Sequence, residues 1–174
     1  MDSKRTKPFG PHIAMSGKRK QVDGVPHIMV VEARFYEDLV DELASGAIAE
    51  LEAAEVSYER HEVPGALEVP AAIRFTVRGG EDPSASYHFD GYVALGCVIR
   101  GETAHYDIVS GESARGLQDL ALTFGVAVSN GILTCESREQ AWVRAATDRG
   151  NKGGRAARAC LDMVKMKRHF GLFR

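Results

Sequence analysis

The stretch HIMVVEARFYEDLVDELASGAIAEL, His27 to Leu51, sets the architecture. Its first seven residues, HIMVVEA, are mostly apolar, rich in β-branched side chains and too few for a helix, so they read as a buried strand. After them Leu39, Val40, Leu43, Ala47, Ile48 and Leu51 recur at three- and four-residue steps with acids between, which is the period of an amphipathic helix.

The same switch from strand to helix repeats along the chain. VSYERHEV (Val56–Val63) reads as a second strand, and ALEVPAAIRFTVR (Ala66–Arg78) has helical spacing with Pro70 confined to its start. GGEDPSAS (Gly79–Ser86) is a turn-rich loop, and Tyr87–Ile99 holds the third and most apolar strand. The helix over Tyr106–Phe124 ends at Gly125, a C-cap residue type. VAVSNGILT (Val126–Thr134) is the fourth strand. Ser137 opens a short helix, and Asn151 caps a final one that runs to Phe170. Strands that alternate with helices require crossover connections, hence a parallel sheet covered on both faces. The fold class is α/β: a three-layer αβα sandwich of flavodoxin-like type with a four-stranded parallel sheet.

Composition narrows the function little. The chain has 174 residues, 44% hydrophobic and 26% charged, which suits one soluble domain. No window approaches the roughly 18 apolar residues of a membrane span, and no apolar core marks a secretory signal, so the expected location is cytoplasmic, with no membrane partner. Three separated cysteines, Cys97, Cys135 and Cys160, form no metal pattern and no disulfide framework. A net charge of −2 gives no global reason to expect nucleic acid. The first twenty residues, however, hold six Lys or Arg against one acid, without an apolar period. Residues 1–26 are therefore expected to be a disordered basic tail ahead of a single domain over 27–174.

Parallel α/β sheets bind ligands at the carboxyl ends of their strands. The segments there are ARFYED, VPGALE, VIRGETAH and LTCES, which bring Phe35, Glu68, Arg100, Glu102, Thr103 and His105 toward one edge. Each residue has two readings. Phe35 staples a helix to the sheet or stacks on a heteroaromatic ring. Gly65 and Ala66 serve a turn or let a ligand approach the backbone, and Glu68 suits a helix dipole or a polyol hydroxyl. In RGETAH the N–H groups of Glu102 and Thr103 lie at a helix start, where unsatisfied donors and the dipole favour phosphate, while Thr103 also suits an N-cap. His105 is a structural side chain or a proton carrier. Arg144 and Lys152 are solvated cations or phosphate ligands.

Competing motifs fail. There is no GxGxxG after the first strand and no GxxxxGK[ST] loop. GESAR (Gly111–Arg115) lacks the last Gly of a nucleophile elbow and lies inside a helix. The Ser- and Thr-rich flavin-phosphate loop of flavodoxins is also absent after the first strand.

Taken together, EARFY, VPGALEVPAA, ALGCVIRGETAHYDIVSGESARGL, NGILTCESREQAWVRA and NKGGRAA closely resemble the 6,7-dimethyl-8-ribityllumazine synthase family of riboflavin biosynthesis, in its alphaproteobacterial type, from about His27 to Phe170. The basic tail falls outside these motifs. The resemblance implies condensation of 5-amino-6-(D-ribitylamino)uracil with 3,4-dihydroxy-2-butanone 4-phosphate, the penultimate step of that pathway, without metal or redox cofactor. An amine attacks the ketone, phosphate leaves, the ring closes and water is lost. By motif position Phe35 stacks on the pyrimidine. Ala66, Leu67 and Glu68 hold the ribityl chain, and Cys97, Val98 and Ile99 line the pyrimidine pocket. Glu102 and Thr103 grip the phosphate through their N–H groups together with Arg144, His105 donates protons, and Lys152 is an accessory cation.

One position departs from the family pattern. Asn130 stands where many members carry an aromatic that the neighbouring subunit contributes, so the resemblance implies a homo-oligomer, a pentamer with sites between subunits, either free or, as in some members, assembled into a shell of twelve pentamers. A polar residue there leaves a second reading alive: a non-catalytic flavin or lumazine binder on the same scaffold.

Overall fold

The computed structural model of the chain describes residues 15–18, as backbone, together with 24–80 and 88–172. Strands β1 (Met15–Lys18), β2 (His27–Ala33), β3 (Ser57–Val63), β4 (Gly91–Ile99) and β5 (Ala127–Cys135) form one sheet in the order β1-β3-β2-β4-β5. β2 pairs in parallel with β3 on one side and β4 on the other, and β5 pairs in parallel with β4. These four strands and the helices α1 (Glu37–Ala53), α2 (Val69–Gly79), α3 (His105–Phe124), α4 (Arg138–Ala145) and α5 (Lys152–His169) make the expected three-layer α/β fold.

The fifth strand was not expected. Met15–Lys18, inside the segment predicted to be disordered, runs antiparallel to β3 with Met15 opposite His61 and Lys18 opposite Tyr58. These residues have no apolar period, so pattern gives no signal there. What engages them is the otherwise unpaired row of β3 backbone groups, which any adjacent chain can satisfy. Residues 1–14 and 19–23 lie outside the described residues, as do residues 81–87, which take in most of the GGEDPSAS loop.

All seven β2 residues are buried, and alternation sends their side chains to opposite faces. Ile28 and Val30 join Leu39, Leu43 and Leu51 of α1 and Ala157, Cys160 and Leu161 of α5 in one core. Met29, Val31 and Ala33 join Val69 and Ile73 of α2 and Leu117 and Leu120 of α3 in the other. Glu32 is fully buried in this strand. Arg60 on β3 holds it with a bidentate pair, Nε to Oε1 at 2.6 Å and Nη2 to Oε2 at 2.9 Å, which satisfies a charge that would otherwise be costly to bury.

Local signals set the helix ends. Pro70 falls in the first turn of α2, where no intrahelical donor is lost, and the preceding Ala66–Glu68 forms a 3₁₀ turn. Gly125 ends α3 in the left-handed conformation at φ 60°. The Ser137 and Asn151 side chains accept from Gln140 N and Gly154 N to start α4 and α5.

α1 and α5 approach closely at Gly153, where a Cβ would lie 1.8 Å from the Leu43 carbonyl oxygen. Backbone cannot give way there as a flexible side chain can. Gly153→Ala is expected to lower stability by about 3 kcal/mol, the upper range for overpacking. A urea denaturation midpoint equal to that of the parent protein would contradict this.

Candidate active site

Strand order fixes where a crevice opens. The chain moves from β2 to β3 on one side, then returns to β4 on the other, so the loops after β2 and β4 diverge and leave a crevice between the two carboxyl ends. An open cleft of about 450 Å³ sits there.

Four segments line it. After β2, Arg34–Tyr36 form a 3₁₀ turn that projects Phe35, 73% exposed, while Tyr36 packs on the core and meets the Phe35 ring edge-on at 4.9 Å. After β3, Pro64, Gly65, Ala66, Leu67 and Glu68 line the cleft. A Cβ on Gly65 would lie 3.0 Å from Glu68 Oε2, so the glycine lets the carboxylate fold back over the turn. The end of β4 contributes Cys97, Val98 and Ile99, and the following loop and first turns of α3 contribute Gly101, Thr103, His105, Tyr106 and Val109.

Nine of the predicted residues thus meet in one cleft: Phe35, Ala66, Leu67, Glu68, Cys97, Val98, Ile99, Thr103 and His105. Glu102 is exposed in the same loop but is not among the lining residues. Arg144 is exposed on α4, its Nη1 donating to Gln140 O at 2.9 Å, and half-buried Lys152 opens α5; neither lines the cleft. Asn130 lies elsewhere, in a depression of about 310 Å³ between α3 and β5 that also takes in Ser110 and Thr134. Its Oδ1 accepts from Ile132 N at 2.9 Å on this edge strand. Within one chain, then, the depression holding Asn130 and the cleft holding Phe35 share one lining residue, Tyr106.

Thr103 is one residue short of the expected N-cap. Ala104 takes that place without a side-chain hydrogen bond, and Thr103 Oγ1 instead accepts from His105 N at 3.4 Å. Burial pushes the Cys97 thiol up to about 12, and burial raises Cys135 as well. Cys97 therefore shapes the wall as a neutral thiol and is no nucleophile near neutral pH.

Sequence reasoning missed two features. Arg34, beside Phe35, donates to Asp41 of α1 at 2.7 Å and lies 3.5 Å from Glu32 and 3.7 Å from Glu62, which anchors the turn from beneath. An acid and an Arg flanking the end of an apolar run, EAR, was the available signal. Arg100 is held between Asp107 and Glu136, whose hydrogen bonds raise its pKa further, and its Cζ sits 4.0 Å over the Tyr106 ring.

Comparison with known proteins then decides the family. The family described as 6,7-dimethyl-8-ribityllumazine synthase matches residues 26–168. The chain belongs to that family. The 6,7-dimethyl-8-ribityllumazine synthase of Bartonella tribocorum is 53% identical over 152 residues, covering 87% of this chain and 97% of the relative. The 6,7-dimethyl-8-ribityllumazine synthase 1 of Rhizobium meliloti is 54% identical over 145 residues, covering 83% and 94%. The 6,7-dimethyl-8-ribityllumazine synthase of Nitrobacter winogradskyi is 48% identical over 168 residues, 97% of each chain, so that alignment also takes in most of the basic N-terminal segment that the motifs leave out. These relatives are alphaproteobacterial lumazine synthases, the type that the motifs indicate.

The neutral state of Cys97 has a direct consequence. In native protein at pH 8, iodoacetamide is expected to leave Cys97 unmodified by mass spectrometry, whereas urea-unfolded protein is alkylated there. Rapid native labelling at Cys97 would refute the neutral-wall reading.

Proposed function

We propose that this cleft condenses 5-amino-6-(D-ribitylamino)uracil with 3,4-dihydroxy-2-butanone 4-phosphate to give 6,7-dimethyl-8-ribityllumazine, phosphate and water. The observation that carries the reading is the convergence of nine motif residues from four separate segments on one crevice, in a chain of this family. The exposed Phe35 ring is the platform for the pyrimidine. Backbone groups along Cys97–Ile99 hold its polar edge, while Ala66, Leu67 and Glu68 receive the ribityl chain, the carboxylate accepting from a hydroxyl.

The N–H groups of Glu102 and Thr103 lie next to the uncapped start of α3, where donors and the helix dipole attract the substrate phosphate. Arg144 adds a guanidinium, and Lys152 adds a second cation. His105, one residue past the cap, passes protons as the imine forms, phosphate departs and water is lost. Holding two reactants in register supplies much of the rate, which suits a cleft lined mostly by apolar and small residues.

The active form in this reading is a cytoplasmic homopentamer with sites between subunits. Asn130 lies outside the cleft of its own chain, and Ile108 and Leu122 of α3 are 55% and 83% exposed, which supports a neighbour packed on that side. Size exclusion with light scattering is expected to give five times the 18.9 kDa chain mass. A monomer at assay concentration would remove the shared-site reading.

Turnover followed by lumazine fluorescence tests the reaction, and a rate no faster than buffer sinks it. Tight riboflavin binding without turnover would replace it with a binding role. His105→Ala is expected to lower kcat by about 100-fold, the low end for acid–base groups, while phosphate positioning survives. Arg144→Ala is expected to raise KM for the butanone phosphate and to leave that for the pyrimidine unchanged. An unaltered phosphate-substrate KM would refute its role.

A further inference from the structure

We propose that Arg100 is a positioning residue for this reaction: its guanidinium clamps the first turn of α3, which carries Thr103 and His105, to the corner between β5 and α4. The inference rests on the reading of the cleft given above, in which Thr103 and His105 act on the phosphate and the protons.

The segment from Gly101 to Ala104 has little else to hold it. All four residues are exposed, and no atom outside the chain neighbours lies within 4 Å of where a Gly101 Cβ would be. The α3 cap makes no side-chain hydrogen bond, and the Thr103 hydroxyl reaches His105 N only at 3.4 Å. A turn tied down this lightly frays.

Arg100 holds the turn from outside instead. Its backbone N–H donates to Cys135 O at 2.9 Å, extending the β4–β5 ladder one residue past the strand end. Nη1 and Nη2 donate to the two Asp107 oxygens at 3.2 and 3.1 Å, and Nε donates to Glu136 Oε2 at 2.9 Å. The guanidinium plane also covers Tyr106, so two consecutive residues of the first turn are held by one group. From Glu136 the bonding continues into α4: its N–H donates to Gln140 Oε1 at 3.1 Å, and Gln140 O accepts from Arg144 Nη1 at 2.9 Å. One arc of hydrogen bonds thus joins the turn of His105 to the helix of Arg144.

Each of these pairs is exposed and individually weak. Their value lies in geometry: a planar fork serves two carboxylates in fixed directions, which a Lys ammonium does not reproduce. Charge alone and fork geometry therefore predict different variants.

The test compares Arg100→Met, Arg100→Lys, Asp107→Asn and the Arg100→Met/Asp107→Asn double variant in the full-length protein. If Arg100 positions the turn, both Arg100 variants lose about 10- to 100-fold in kcat with the pyrimidine KM unchanged. The double variant is then no worse than Arg100→Met alone, because both changes break one contact. Hydrogen exchange supplies a readout independent of turnover. The Asp107 and Ile108 amides, which bond Ala104 O at 3.1 and 3.3 Å, exchange faster in Arg100→Met while β4 amides do not change. Rescue by Lys, additive losses in the double variant, or unchanged exchange at Asp107 and Ile108 would each overturn the proposal. Absence of turnover in the parent protein would instead overturn the reaction assignment, and the exchange comparison would still judge the clamp.

Discussion

The parallel pairing of β2 with strands on both of its sides governs the rest of the structure. A chain that adds β3 to one edge of β2 and then β4 to the other must reverse its direction of travel across the sheet. Crossovers of one hand then place α1 on one face and α2 on the opposite one. The loops that leave β2 and β4 separate, and a gap opens between strands that are themselves tightly paired. The cleft is a consequence of connectivity before any side chain is specified. The side chains decide only what the gap holds.

Such a gap is surrounded by chain ends that sheet pairing no longer restrains, and this protein steadies two of them with arginines. Arg34 ties the turn behind Phe35 to Asp41 and to the carboxylate pair Glu32 and Glu62, and Arg100 ties the start of α3 to Asp107 and Glu136. Both guanidinium groups act at the boundary where regular backbone bonding stops. Their partners come from different elements, so each fixes an angle between segments more than it adds stability. Glu32 shows the cost of this arrangement: a fully buried carboxylate in the central strand is retained because Arg60 and Arg34 meet it.

Much of this was legible in the sequence. β2 and β4 stand out as short apolar runs because both of their faces are buried, which removes the polar alternation of a half-exposed strand, whereas β3, SYERHEV, is half-buried throughout and gives a weaker signal. Phe35, Glu68, Thr103 and His105 were legible because each follows a strand end at the crevice. Asn130, Arg144 and Lys152 belong to β5, α4 and α5, one strand farther from the point where the order reverses, so their position along the chain says nothing of the cleft. β1 was invisible, since its pairing is a backbone event without a side-chain pattern. The clamp by Arg100 joins residues 7 and 36 positions apart, and no local motif encodes such a triangle.

The two margins of the sheet are unlike. On one side β1 lies antiparallel along β3; on the other, β5 ends the sheet, and the Asn130 side chain covers one of its N–H groups. A second molecule seated along β5 therefore cannot meet an identical surface by a two-fold rotation unless it too offers β5. Contact between the β5 flank and any other part of the chain is head-to-tail, and repetition of such a contact has only two outcomes, a closed ring or an open helix. The rotation per step decides between them.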